Sequence, residues 1–179
     1  MKKFLMMVLL LCAGPALAAV IQIDPARSRI QVDVKATGHE FTGTLEKYTI
    51  TAAGDDSTHK PTRFELSWDF TDLKTGEAKR DKEMIAWLGG GKPKGSFSFS
   101  KSWDEKSSGG SAQGNLTIHG VTKVVAFNYT VKQEGGWVTI DGSVPMNYQA
   151  FNLPLIRAMA VMTVNPELKV RFHIVGKAK

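Results

Sequence analysis

Arg63-Phe64-Glu65-Leu66-Ser67-Trp68-Asp69-Phe70 decides the fold. Every even residue is large and apolar, and every odd residue is polar. Successive side chains of a strand point to opposite faces, so this period of two puts one face in water and the other in a core. The same rhythm recurs along the chain. Ile30, Val32 and Val34 alternate with Arg29, Gln31, Asp33 and Lys35. Leu168, Val170, Phe172 and Ile174 alternate with Glu167, Lys169, Arg171 and His173. Phe97 and Phe99 sit among serines, and Val125, Phe127, Tyr129 and Val131 repeat the pattern, as do Val138, Ile140 and Val144.

Turn residues punctuate these runs. His119-Gly120, Glu134-Gly135-Gly136, Ser107-Ser108-Gly109-Gly110 and Ala53-Gly54-Asp55-Asp56 each separate two alternating stretches. Short turns of this kind join antiparallel strands, and about eight or nine strands are expected. Glu77 to Leu88 breaks the rhythm: Asp81, Met84, Ile85 and Leu88 share one helical line, and Gly89-Gly90-Gly91 provides a stop. A helix of about three turns is predicted there. Pro145 to Pro166 is apolar with mixed periodicity, and Arg157 is its one charge. It reads as a second short helix, an irregular lid or a bulged strand.

Alternation by itself does not separate a sandwich from a barrel, since both give one apolar face per strand. The bulk of the inward residues and the helix placed mid-chain favour an all-β antiparallel barrel of about eight strands, the helix capping an open end or covering one face of a sheet. No ionisable residue interrupts the inward phases. An unpaired charge there would be costly, so a molecule lying inside would be apolar along its length. The same pattern also suits an interior filled by its own side chains.

Residues 1–18 read as an export signal. Lys2 and Lys3 precede the apolar run Phe4 to Cys12, and Ala16-Leu17-Ala18 offers a small-residue cleavage site. A lipoprotein signal at Cys12 is disfavoured by Leu11 before it. The expected mature part, residues 19–179, is one domain with no cysteine and hence no disulfide. Loss of Lys2 and Lys3 takes the net charge from +6 to +4. So mild an excess, without a basic run, argues against a nucleic-acid partner. His39, His59, His119 and His173 lack metal-ligand spacing, and no nucleophile elbow or phosphate loop occurs. No metal, no cofactor and no catalytic residues are therefore expected.

Four stretches together resemble the YceI family of periplasmic, lipocalin-like proteins. They are Ile23-Asp24-Pro25-Ala26-Arg27-Ser28-Arg29-Ile30, Gly38-His39-Glu40-Phe41-Thr42-Gly43-Thr44-Leu45, Lys79-Arg80-Asp81-Lys82-Glu83-Met84, and Gly114-Asn115-Leu116-Thr117-Ile118-His119-Gly120-Val121-Thr122-Lys123. The likeness runs from about Ile21 to Val175 and is most specific in the last stretch. It departs at Val32 and Val34, where the family is more aromatic, and at Ile85 to Gly91, where a phenylalanine-rich run is commoner. The resemblance implies an extended antiparallel lipocalin-like barrel with a capping helix, whose hydrophobic tunnel carries a polyprenyl lipid or a quinone tail. It implies a periplasmic carrier, not an enzyme.

Residues expected along that tunnel are Val34, Phe41, Phe64, Leu66, Trp68, Phe97, Phe99, Phe127, Ile140, Leu153, Ile156, Met159 and Phe172. Ordinary core packing uses the same residue types. Arg80, Asp81 and Arg157 are expected to contact a head group or to hold the cap in place; Asp81 suits the structural role better. Arg157 offers a fork for phosphate or carbonyl oxygens, or else is a surface arginine. The expected partner is the apolar lipid, with at most peripheral membrane contact; a homodimer stays open. Two other functions are compatible with the sequence. An enzyme acting on such a lipid would need an inward acid or base, for which only Asp81 and Tyr129 are placed. A ligand-free envelope-stress or interaction module would have a filled interior.

Overall fold

The computed structural model describes residues 18–55, 61–106, 108–158 and 162–178. In chain order the elements are β1 (Ala18–Ile23), β2 (Arg29–Ala36), β3 (His39–Leu45), β4 (Thr49–Asp55), β5 (Pro61–Asp69), β6 (Leu73–Lys74), α1 (Ala78–Trp87), β7 (Lys94–Lys106), β8 (Gly109–Ile118), β9 (Val121–Glu134), β10 (Trp137–Asn147), β11 (Arg157–Ala158), β12 (Met162–Thr163) and β13 (Glu167–Ala178). Eight strands close a ring in the order β1, β4, β5, β7, β8, β9, β10, β13 and back to β1, with every pairing antiparallel. The expected barrel is the observed one. The expected hairpins are present as well. His119 and Gly120 both have positive φ (51° and 74°), as do Gly135 and Gly136 (57° and 79°), which suits two-residue turns that follow the strand twist.

β13 pairs with β10 along one edge and shares its other edge between two strands. Residues 169–173 pair with β2, while 176–178 pair with β1. The chain corner between β1 and β2 makes this switch. Asp24 N–H donates to the Val175 carbonyl at 2.8 Å, and Val175 N–H donates to Ser28 Oγ at 2.9 Å. β2 then continues through β3 to β6. The wall is therefore an eight-stranded ring at the end holding this corner. At the end holding α1, β2, β3 and β6 replace β1 and β4 and make the wall one strand wider. Eight strands enclose a space just sufficient for side chains or a slim ligand; the extra strand opens the helix end beyond that.

Packing follows this shape. At the helix end, buried Phe70, Leu88, Leu116, Ile118, Met146, Tyr148, Phe151 and Leu153 pack together under the cap and lid. The opposite end is sealed by Ile30, Leu45 and Ile174, with Ile23, Tyr48 and Ile50 against them. Between the ends, Phe64, Leu66, Phe97 and Phe127 are only half-buried although they point inwards, because part of each side chain faces a hollow. The segment after β10 is an irregular lid: a short helical turn at Tyr148–Phe151, then the small hairpin of β11 and β12. The lid is sewn to the tip of the β2–β3 hairpin by Thr37 N–H to the Thr163 carbonyl (3.0 Å) and Asn165 N–H to the Lys35 carbonyl (2.8 Å).

Candidate functional site

The hollow is a cavity of about 820 Å³. Val34, Phe41, Phe64, Leu66, Trp68, Phe97, Phe99, Phe127, Ile140, Leu153, Ile156 and Phe172 all line it. Met159 lies outside the described residues. Apart from the phenols of Tyr129 and Tyr148, the ionisable side chains on its wall are His39, Glu77, Lys79, Arg80, Glu83 and Arg157. Each belongs to α1 and its approach, to the β2–β3 hairpin or to the lid, so charge is confined to the helix-end rim. From the inward strand positions come aliphatic groups, aromatic rings and the Tyr129 phenol. Such an interior suits a hydrocarbon chain, and the rim suits something more polar.

Arg80 and Asp81 are held by one residue, Thr75. Asp81 Oδ1 accepts from Thr75 N–H at 2.9 Å and from Thr75 Oγ1 at 2.6 Å. Arg80 donates from Nε to Thr75 Oγ1 at 2.9 Å and from Nη2 to the Thr75 carbonyl at 2.8 Å. The guanidinium also lies over the Phe41 ring, 3.9 Å from its centroid, a cation–π contact. The pair thus fastens the start of α1 to the barrel wall. Asp81 stands outside the cavity lining, whereas Arg80 reaches the rim. Arg157 is exposed on the rim, on the first strand of the lid hairpin.

The cap and lid are joined. Trp87 Nε1–H donates to the Pro154 carbonyl at 3.0 Å, and its indole meets Tyr148 edge-on with centroids 5.2 Å apart. Tyr148, almost fully buried, donates its hydroxyl hydrogen to the Val164 carbonyl at 3.0 Å and accepts from Ile156 N–H at 3.2 Å. One phenol therefore fixes both arms of the lid. The sequence hides this role, since tyrosines on an apolar stretch look alike until their partners are placed.

Three inward glycines were also missed by the sequence pattern. A Cβ on Gly95 would stand 2.1 Å from Trp68 Cζ2, one on Gly114 2.3 Å from Phe97 Cζ, and one on Gly142 2.3 Å from Phe172 Cζ. In each case an aromatic ring from another strand lies across the glycine. A glycine on the inward phase of a strand is the signal that could have found them. Away from the cavity, His173 Nδ1 lies 2.6 Å from Asp141 Oδ1 on the outer face of β13 and β10, a pairing that depends on strand register and not on spacing in the chain. Among the described residues no group of three or more His, Cys, Asp or Glu is placed to hold a metal ion. No helix among them is long and apolar enough to cross a membrane.

Comparison with known proteins places residues 21–176 under the YceI-like domain. UPF0312 proteins of Pseudomonas putida strains W619 and GB-1 are each 32% identical over 134 residues, covering 70% of this chain and 69% of their own length. Among solved structures, Burkholderia cenocepacia BcnA aligns with a TM-score of 0.72 at 23% identity, over 86% of this chain and 99% of that one. A Campylobacter jejuni YCEI protein aligns with a TM-score of 0.61 at 16% identity, over 76% and 84%. At these identities the structural likeness concerns the fold.

Proposed function

Because the chain belongs to the YceI-like domain family, we propose that it is a periplasmic carrier that holds a long isoprenoid-type lipid, a polyprenyl chain or a quinone tail, inside the barrel. The observation that carries this reading is the 820 Å³ cavity whose charged groups are all at one rim. A hydrocarbon chain gains roughly 0.8 kcal/mol for each methylene taken out of water. About ten buried groups give roughly 8 kcal/mol gross, which suffices for useful affinity after the costs of association without a strong polar contact. The polar end of the lipid then lies at the rim, where Arg157 reads it.

Export is part of the proposal. It rests on the charged start, apolar run and small-residue site of residues 1–18; residues 1–17 lie outside the described structure. A binding role in place of an enzymatic one is favoured by where the acids and bases stand. Those charged at neutral pH ring the opening, and among the described residues the deeper wall adds only the weakly acidic Tyr129 phenol.

The test is an organic extract of the folded protein purified from its native host, read by mass spectrometry. An apolar species at near one per chain, with a ladder of isoprene units, is the expected result. An extract free of apolar molecules, together with failure of the delipidated protein to take up geranylgeraniol, would end the reading.

A further inference from the structure

Four phenylalanine rings inside the barrel touch in series. Phe64 on β5 meets Phe97 on β7 with centroids 6.2 Å apart. Phe97 meets Phe127 on β9 at 5.9 Å, and Phe127 meets Phe172 on β13 at 5.5 Å. Yet β8 lies between β7 and β9, and β10 between β9 and β13. The rings cross those strands because the residue beneath each is glycine: Gly114 under Phe97 and Gly142 under Phe172. The arc thus spans six successive strands while lying back against the wall.

The cavity continues on both sides of the arc. Leu66 and Trp68 line it towards the helix end, and Phe99, Tyr129, Ile140 and Ile174 towards the sealed end. A chain entering at the rim must run along the arc to reach the deeper part. We propose that the arc is a gauge for the bound chain, with Gly114 and Gly142 as the residues that set it. By letting the rings recline, the two glycines fix how deep, and therefore how long, a chain the protein accepts. This rests on the reading of the cavity as a site for an isoprenoid-type chain. A Cβ at Gly142 would stand 2.3 Å from Phe172 Cζ and 2.9 Å from the Asn128 carbonyl oxygen, so the ring tips into the lumen while the wall gives slightly; at Gly114 the Ser98 carbonyl oxygen is 2.4 Å away as well, so the wall must also shift there. A tipped ring closes the deeper part; loss of a ring widens the passage.

The experiment uses delipidated protein and four prenols, geraniol, farnesol, geranylgeraniol and solanesol. Binding is followed by the fluorescence of Trp68 and Trp87, both on the cavity wall. In the wild type each added prenyl unit that fits raises affinity at least about tenfold, its five carbons each being worth more than a factor of three. In Gly142→Ala, geraniol binding stays within about threefold, the worth of one methylene, while the gain from farnesol to geranylgeraniol is lost. Phe172→Leu acts in the opposite sense: it keeps the whole ladder and takes solanesol at least about tenfold more readily than the wild type does. The double variant, in which the ring that would collide is gone, regains the step to geranylgeraniol. A folded Gly142→Ala with the wild-type ladder overturns the gauge and leaves the cavity reading intact. Should Gly142→Ala not fold, Phe172→Leu decides, and unchanged preference for solanesol overturns the proposal. A wild type that binds no prenol removes both the gauge and the reading beneath it.

Discussion

The indole of Trp68 rests on Gly95, its partner across β5 and β7. A Cβ there would stand 2.1 Å from Cζ2 and 2.3 Å from Cε2. The other side of Trp68 meets Phe70, centroids 5.7 Å apart, so the indole has little room to retreat except into the cavity mouth. Gly95→Ala is expected to destabilise the fold by about 1–3 kcal/mol, as overpacking does, and to shift tryptophan emission as the indole moves. Urea unfolding and emission spectra check this. If stability and spectrum both stay at wild-type values, the ring is not held by the glycine.

This glycine shows what the sequence makes legible and what it hides. The face of each strand can be read locally, because the period of two runs along the chain. Hence the residues from Arg63 to Phe70 foretell a wall, and the tunnel residues Phe64, Leu66 and Trp68 fall on it. The helix from Glu77 to Leu88 is legible for the same reason, and so are the turns at His119-Gly120 and Gly135-Gly136. Register across strands is not local. Whether Phe172 lies over Gly142, or His173 over Asp141, depends on which residues of β10 and β13 face each other. An irregular lid is one of the three readings Pro145 to Pro166 allows; what the sequence hides is how it is held, because Tyr148 bonds to backbone atoms eight and sixteen residues away. Even the hollow was undecided, since a lining phenylalanine and a packed one have the same pattern.

Tyr148→Phe tests the lid. The hydroxyl bridges its two arms beside the direct bond from Val164 N–H to the Ile156 carbonyl (3.0 Å), and its loss leaves Ile156 N–H and the Val164 carbonyl without that partner. An orphaned buried polar group costs about 1–3 kcal/mol. The ring itself stays, with its edge contact to Trp87. Global stability should therefore fall modestly, while amide exchange at Ile156 and Val164 rises and a bound prenol leaves faster. Unaltered exchange and off-rate would mean that Trp87 and the β2–β3 contacts hold the lid unaided.

On the outer wall, Asp33 takes two bonds from Arg171, Nε to Oδ2 at 2.6 Å and Nη2 to Oδ1 at 2.7 Å, and a third from Thr42 at 3.0 Å. The hydrogen bond from Arg171 holds its carboxyl below the usual carboxylate range; burial opposes this, and the Thr42 hydroxyl and nearby positive charges add to it. As pH falls, the unfolded chain protonates first, near about 3.9. The pair's contribution is thus present above that pH and is lost as acid carries the folded carboxyl through its lower value. Solvent reaches both partners, so the contribution is under about 1 kcal/mol. Asp33→Asn should lower the urea midpoint at pH 7, and the difference should narrow as pH falls below about 3.9. A gap that keeps its size across this range would assign the loss to a contact other than the ion pair.

Arg80 and Arg157 both reach the rim, but their guanidinium groups are differently engaged. Arg80 gives Nε and Nη2 to Thr75 and lies over Phe41, whereas Arg157 stands exposed on the lid hairpin. If Arg157 reads a head group, its removal matters only when the head is anionic. Arg157→Ala should weaken farnesyl diphosphate binding by about tenfold or more, in line with about 1.5–3 kcal/mol for a hydrogen bond to a charged group. Farnesol, with the same tail, should bind the variant and the wild type alike. Added salt should shrink the diphosphate effect, because exposed charges are screened. Arg80→Ala should instead loosen the start of α1, lowering stability and weakening both ligands together. Equal losses for diphosphate and alcohol in Arg157→Ala, or no loss for either, would take the head-group role from Arg157 and leave the tail as the basis of recognition.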